Sequence, residues 1–156
     1  MAVLTCPARA ACSDYVRLHV IAADDTPQAQ ALKLKVRDAV LLRVRELLEG
    51  VGDADAAWQA VKDNLETLED AAREAAGDAA CETGVYAFPD RVYGGTLVPA
   101  GDYRALRVVI GAGKGRNWWC VLYPSMCYPE EWKTDDGALY SSVWNWLKAL
   151  FGGGNA

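Results

Sequence analysis

Tyr103-Arg-Ala-Leu-Arg-Val-Val-Ile-Gly-Ala-Gly-Lys-Gly-Arg-Asn-Trp-Trp-Cys-Val-Leu-Tyr123 is the stretch whose reading decides the fold. Its first eight residues end in Val108, Val109 and Ile110, β-branched side chains that favour a pleated strand. Gly111 to Arg116 reads as a tight loop, and Asn117 to Tyr123 as a second strand that Pro124 terminates. Two strands joined by a short glycine-rich loop predict an antiparallel hairpin.

The same stretch carries the chemistry. Gly111, Gly113 and Gly115 alternate, Lys114 and Arg116 lie among them, and Asn117, Trp118, Trp119 and Cys120 follow. Trp and Arg anchor partner surfaces more than other side chains, so the segment reads as a recognition surface. On a strand, Trp118 and Trp119 point to opposite faces, which predicts one ring in the core and one presented outward. The plainer alternative places one ring in each of two packed layers.

A nucleotide loop is excluded by spacing. A dinucleotide loop needs G-x-G-x-x-G opening into a helix, and a phosphate loop needs Lys followed by Ser or Thr. Here Gly-x-Gly-x-Gly leads into a tryptophan-rich strand, and Arg116 lacks the hydroxyl.

Upstream, Val16, Leu18 and Val20 alternate with Tyr15, Arg17 and His19, which predicts a strand with one buried face. Asp24-Asp25-Thr26-Pro27 is a helix start, with a hydroxyl cap and proline at the first position. The helix is expected to run to about Glu49 and stop at Gly50 and Gly52. Its main stripe is Leu32, Val36, Ala39, Val40, Val44 and Leu47, and Leu34, Leu41 and Leu48 widen it towards two covered sides. A second helix, from about Asp53 to Gly77, carries Trp58, Val61, Leu65, Leu68 and Ala72 at helical spacing, with an acidic opposite face. A short connection predicts that the two helices pack antiparallel. A short strand is expected near 83–88. From Leu139 to Phe151 an amphipathic helix is predicted, suited to cover its own domain, dock on a partner or lie on a membrane interface.

The whole is expected to be an α+β protein. A mixed or antiparallel sheet carries a two-helix hairpin on one face. Residues 1–14 form a flexible leader, 15–128 a single domain, and 129–156 an extension containing helix 139–151. With 156 residues the chain suffices for one domain with a sizeable core. A net charge of −5 disfavours general nucleic-acid binding. No run approaches the roughly 20 apolar residues that span a bilayer, and the opening residues have no signal-peptide core. No cofactor or metal is expected: the single histidine and the seven-residue step from Cys120 to Cys127 fit no zinc pattern.

Five cysteines leave at least one unpaired within a monomer. In an oxidising compartment a Cys120–Cys127 bridge would clamp the segment between them; inert reduced thiols are the alternative. Cys120 as a nucleophile with His19 as its base defines a thiol-hydrolase reading, with Asp24 or Asp38 to orient the imidazole. A hydrogen-bonded structural histidine is the simpler role. A self-assembling module, joined through helix 139–151, is the third reading.

Several blocks together resemble the stage II sporulation protein R family. They are Val16-Arg-Leu-His-Val-Ile-Ala22 followed by an acid and Thr-Pro, then Ala31-Leu-Lys-Leu-Lys-Val-Arg-Asp-Ala-Val40. In the second half come Phe88-Pro89, Tyr93-Gly94, Leu97 to Leu106, and Arg107 to Pro124. The similarity runs from about residue 15 to 128. It differs in Ala23-Asp24-Asp25, where Asn-Ser-Asp is more usual, in a short segment between Gly77 and Phe88, and in lacking the family's N-terminal export segment. The resemblance implies a signalling protein of endospore formation. Such a protein is exported from the forespore into the space between the two cells. There it activates a membrane-embedded aspartic protease that processes a sigma factor precursor. It would be a ligand and not an enzyme. On that reading Lys114, Arg116, Asn117, Trp118 and Trp119 contact the protease, with Arg107 and His19 in support.

Overall fold

A computed structural model describes residues 14–93 and 95–125. The expected leader up to residue 13, Cys127 and helix 139–151 lie outside the described residues.

The described chain is α+β. Strand β1 (Val16–Ile21) is followed by helices α1 (Pro27–Leu48), α2 (Ala54–Asp63) and α3 (Leu65–Ala76). Strands β2 (Ala79–Phe88), β3 (Arg91–Tyr93), β4 (Thr96–Val98), β5 (Gly101–Ile110) and β6 (Asn117–Tyr123) complete it. The helix start at Thr26 forms as its residue types require. Thr26 caps α1 by accepting from the Ala29 N–H, and Asp24 Oδ1 accepts from both the Thr26 backbone and hydroxyl. The expected long second helix is instead two. Asn64 closes α2 with φ −113° and ψ 22°, its side-chain amide donates to the Ala60 carbonyl, and α3 begins at the next residue. Asn readily bonds nearby backbone in this way, which competes with helix propagation.

The principal sheet has the order β2-β5-β1-β6. β1 runs parallel to β5 and antiparallel to β6, and β2 runs antiparallel to β5 along its full length. This corrects the expected hairpin: β5 and β6 are not neighbours, because β1 lies between them. The loop from Gly111 to Arg116 crosses the end of β1 to connect them. Its backbone is bonded there: Lys114 N–H to Ala23 O, Gly115 N–H to Ala22 O, and Ala22 N–H to Arg116 O. The glycines serve this crossing. At Gly115 a Cβ would stand 2.3 Å from the Asp24 carbonyl oxygen, so only glycine lets the two backbones pass. Asp25 Oδ1 accepts from the Arg116 N–H, and the buried Lys33 Nζ donates to Arg116 O, tying the crossing to α1.

Three further expectations change. The strand near 83–88 begins at Ala79 and has ten residues. β1 is buried on both faces and not on one: the helices cover one, and the aromatic side chains of Phe88, Tyr93, Tyr103 and Trp119 close over Arg17 and His19 on the other. Leu41 is buried as the wider α1 arc requires, whereas Leu34 is exposed.

The helices cover one face of the sheet. α1 packs on α3 and α3 on β2. This face carries Val16, Leu18 and Val20 of β1, Leu106 and Val108 of β5, and Cys120 of β6, all buried. Polar contacts frame it: Arg104 reaches Asp55 of α2 (2.7 Å), and Arg37 of α1 lies 5.1 Å from the Trp118 ring.

Candidate functional site

The opposite face of the sheet carries no helix among the described residues, and its composition is different. Period two places Arg17 and His19 of β1 here, beside Tyr103 and Arg107 of β5, Glu82, Tyr86 and Phe88 of β2, and Asn117 and Trp119 of β6.

Three rings surround the Arg17 guanidinium. Its carbon lies 4.4 Å from the Phe88 centroid, 4.6 Å from Tyr103 and 6.0 Å from Tyr93. These are cation–π distances. Arg17 Nε donates to the Cys120 carbonyl (2.9 Å) and one Nη to the Tyr93 hydroxyl (3.3 Å). The other Nη is buried and has no hydrogen bond of good geometry among the described residues. Arg17 is fully buried, and burial lowers its pKa. The Tyr93 hydroxyl in turn donates to Trp119 O (2.9 Å), which holds the small β3–β4 sheet to this face.

His19 stacks on Trp119, centroids 3.7 Å apart and planes 13° from parallel. Phe88 meets both rings edge-on, at 6.0 Å from His19 and 5.0 Å from Trp119. His19 Nε2 donates to Asn117 Oδ1 (2.9 Å). Burial lowers the His19 pKa, the Arg107 charge lowers it further, and the Asn117 bond opposes both. Arg107 pairs with Glu82 and lies 4.4 Å from the Tyr86 ring.

The expected contact residues therefore fall into three places. Asn117, Trp119, His19 and Arg107 are together on the open face. Lys114 and Arg116 are exposed on the crossing loop beside it. Trp118 is on the helix-bearing face, half-buried beneath Arg37. Both tryptophans are half-buried, on opposite faces as the strand alternation requires. Residue types missed Arg17, Phe88, Tyr93 and Tyr103. Alternation alone puts Arg17 beside His19, but a buried arginine is signalled only by β1 being central.

Cys120 is disulfide-bonded, with its partner outside the described residues. It is buried and paired in register with Leu18, on the face opposite His19. The thiol-hydrolase pairing of Cys120 with His19 is thereby overturned: the strand pleat separates the two, and the sulfur is already bonded. Cys81 is a buried free thiol whose pKa burial pushes up to about 12, which makes it a poor nucleophile. Among the described residues no group of three His, Cys, Asp or Glu is placed to hold a metal ion, and no helix is long and apolar enough to cross a membrane.

Comparison with known proteins gives two matches. The family model described as stage II sporulation protein R matches residues 12–133. Stage II sporulation protein R of Bacillus subtilis (strain 168) is 30% identical over 119 residues, covering 72% of this chain and 53% of that protein. The chain thus spans about half the length of this curated relative. No solved structure matches. The family match covers most of the chain, in the span that carries both sheet faces: the chain belongs to the stage II sporulation protein R family.

Proposed function

We propose that this chain is an intercellular signal of endospore formation that activates a membrane-embedded aspartic protease, which then processes a mother-cell sigma factor precursor. The family match over residues 12–133 carries the reading. The open sheet face supports it. A stacked His19–Trp119 pair, an exposed Asn117 and the flanking cations Lys114 and Arg116 make a rigid aromatic anchor with a polar rim, the usual anatomy of a protein contact. Arg107 borders this contact, and Trp118 supports it from beneath. The site of action is the space between the two cells; the disulfide at Cys120 suits an oxidising compartment outside the cytoplasm.

Reconstituted precursor cleavage with the partner protease tests the proposal. Trp119→Ala should lower activation roughly 30-fold, the loss of an anchor worth about 2 kcal/mol. Trp118→Ala should lose thermal stability and keep most of its activation per folded molecule. Folded Trp119→Ala and Asn117→Ala proteins that activate normally would remove the open face as the contact.

A further inference from the structure

Among the described residues β2 is an edge strand, and only half of its edge is closed. The carbonyl of Ala79 accepts from Arg73 Nε (3.0 Å), and the N–H of Cys81 donates to Glu69 Oε2 (2.9 Å), so two α3 side chains satisfy the first outward-facing groups. In an antiparallel ladder the N–H and C=O of one residue point to the same side. Thr83, Val85 and Ala87 therefore face outward in the same phase, and their backbone groups have no partner among the described residues. Pro89 has no N–H, which ends the open stretch. Edges of this kind are normally blunted by charge, proline or cover. Here the run Thr83-Gly-Val-Tyr-Ala-Phe88 is uncharged, and Val85 is 54% exposed.

The geometry points to a second copy of this chain as the occupant, paired antiparallel through Thr83–Ala87 with Val85 opposite Val85. The open window is symmetric about Val85. Two-fold pairing aligns Thr83 with Ala87 of the copy and joins all three outward residues in hydrogen-bonded pairs. It sets Gly84 opposite Tyr86, small against large. The two Glu82 carboxylates, each already paired with its own Arg107, fall six positions apart, about 20 Å. No like charges oppose each other. A longer overlap is prevented at one end by Glu69 and Arg73 and at the other by Pro89. Two four-stranded sheets become one sheet of eight, and the His19–Trp119 faces remain uncovered. This association is separate from the protease contact and does not rest on it.

Sedimentation of the full chain between about 1 µM and about 1 mM, the range of weak interfaces, tests the pairing. The wild type should shift from monomer to dimer with concentration. Val85→Lys places two ammonium groups opposite each other and should weaken dimerisation at least tenfold. Leu34→Lys, an exposed control on α1, should leave it unchanged. Amide exchange on the wild type gives a reading free of any folding defect: the Thr83, Val85 and Ala87 amides should slow as the dimer forms. A wild type that stays monomeric to 1 mM overturns the proposal. So does a dimer that Val85→Lys leaves intact, or one whose formation leaves these three amides unprotected.

Discussion

The two faces of one sheet are built on opposite rules. Towards the helices, Leu18, Val20, Leu106 and Val108 make an apolar core whose stability comes from area removed from water. On the other side the same strands bury Arg17 and His19 among Phe88, Tyr93, Tyr103 and Trp119. That face has aromatic area too, but it spends part of it on holding polar groups in fixed positions. Burying a guanidinium costs more than burying an apolar side chain, and here three rings and two hydrogen bonds offset that cost. The contrast teaches that position within a sheet, and not residue type alone, separates core from display.

The largest effect should come from the apolar face. Leu18→Ala should cost about 2–5 kcal/mol in urea unfolding, because the cavity lies between covered layers. A cost well below this would mean that the helix layer collapses into the gap, and the contrast between the faces would weaken. Arg17 sharpens the comparison. Arg17→Ala should cost about 2–3 kcal/mol, since it empties the space between the rings and removes the Nε–H bond to the Cys120 carbonyl. Arg17→Met fills the space and removes the buried guanidinium, so it should cost less than half as much. If both substitutions destabilise equally, the charge itself and not the packing of its stem holds the aromatic face together.

The smallest effect is a pH dependence confined to the polar face. The folded-state pKa of His19 lies below the ordinary 6.5 of an unfolded chain. Between the two values the unfolded chain binds more protons, so stability is complete above 6.5 and declines as pH falls below it, levelling beneath the folded value. Urea titrations at about pH 7.5 and about pH 5 should show the decline in the wild type, and His19→Gln should remove most of it. Equal slopes in both proteins would assign the dependence to other groups.

Much of this architecture was legible from local pattern. The cap at Thr26, the strand phases of β1, β5 and β6, and the opposed tryptophans follow from spacing and residue type. What local pattern missed is what depends on distant partners. A hairpin is the natural reading of two strands joined by a short loop, because nothing nearby announces that β1 will enter between them. The sign was present in Gly115, where a side chain would collide with Asp24, ninety-one residues earlier. The full length of β2 depends on its pairing with β5, and the break at Asn64 turns on one side-chain bond to the Ala60 carbonyl, which a single asparagine in an otherwise helical pattern signals only weakly. Of the open face, His19, Asn117, Trp119 and Arg107 were visible as residue types. Arg17 and Phe88 were not, since an arginine reads as solvent-facing until its strand is known to be central.

The crossing loop fixes an order of events. β1 ends at Ile21, and its neighbours arrive only with residues 101–123, after α1, α2 and α3 have been made. Such distant pairing is slow to form. A nascent chain leaving the ribosome therefore keeps its central strand unmatched until translation is almost through this domain. The sheet is completed late, when Gly115 passes over Asp24 and β6 closes on β1.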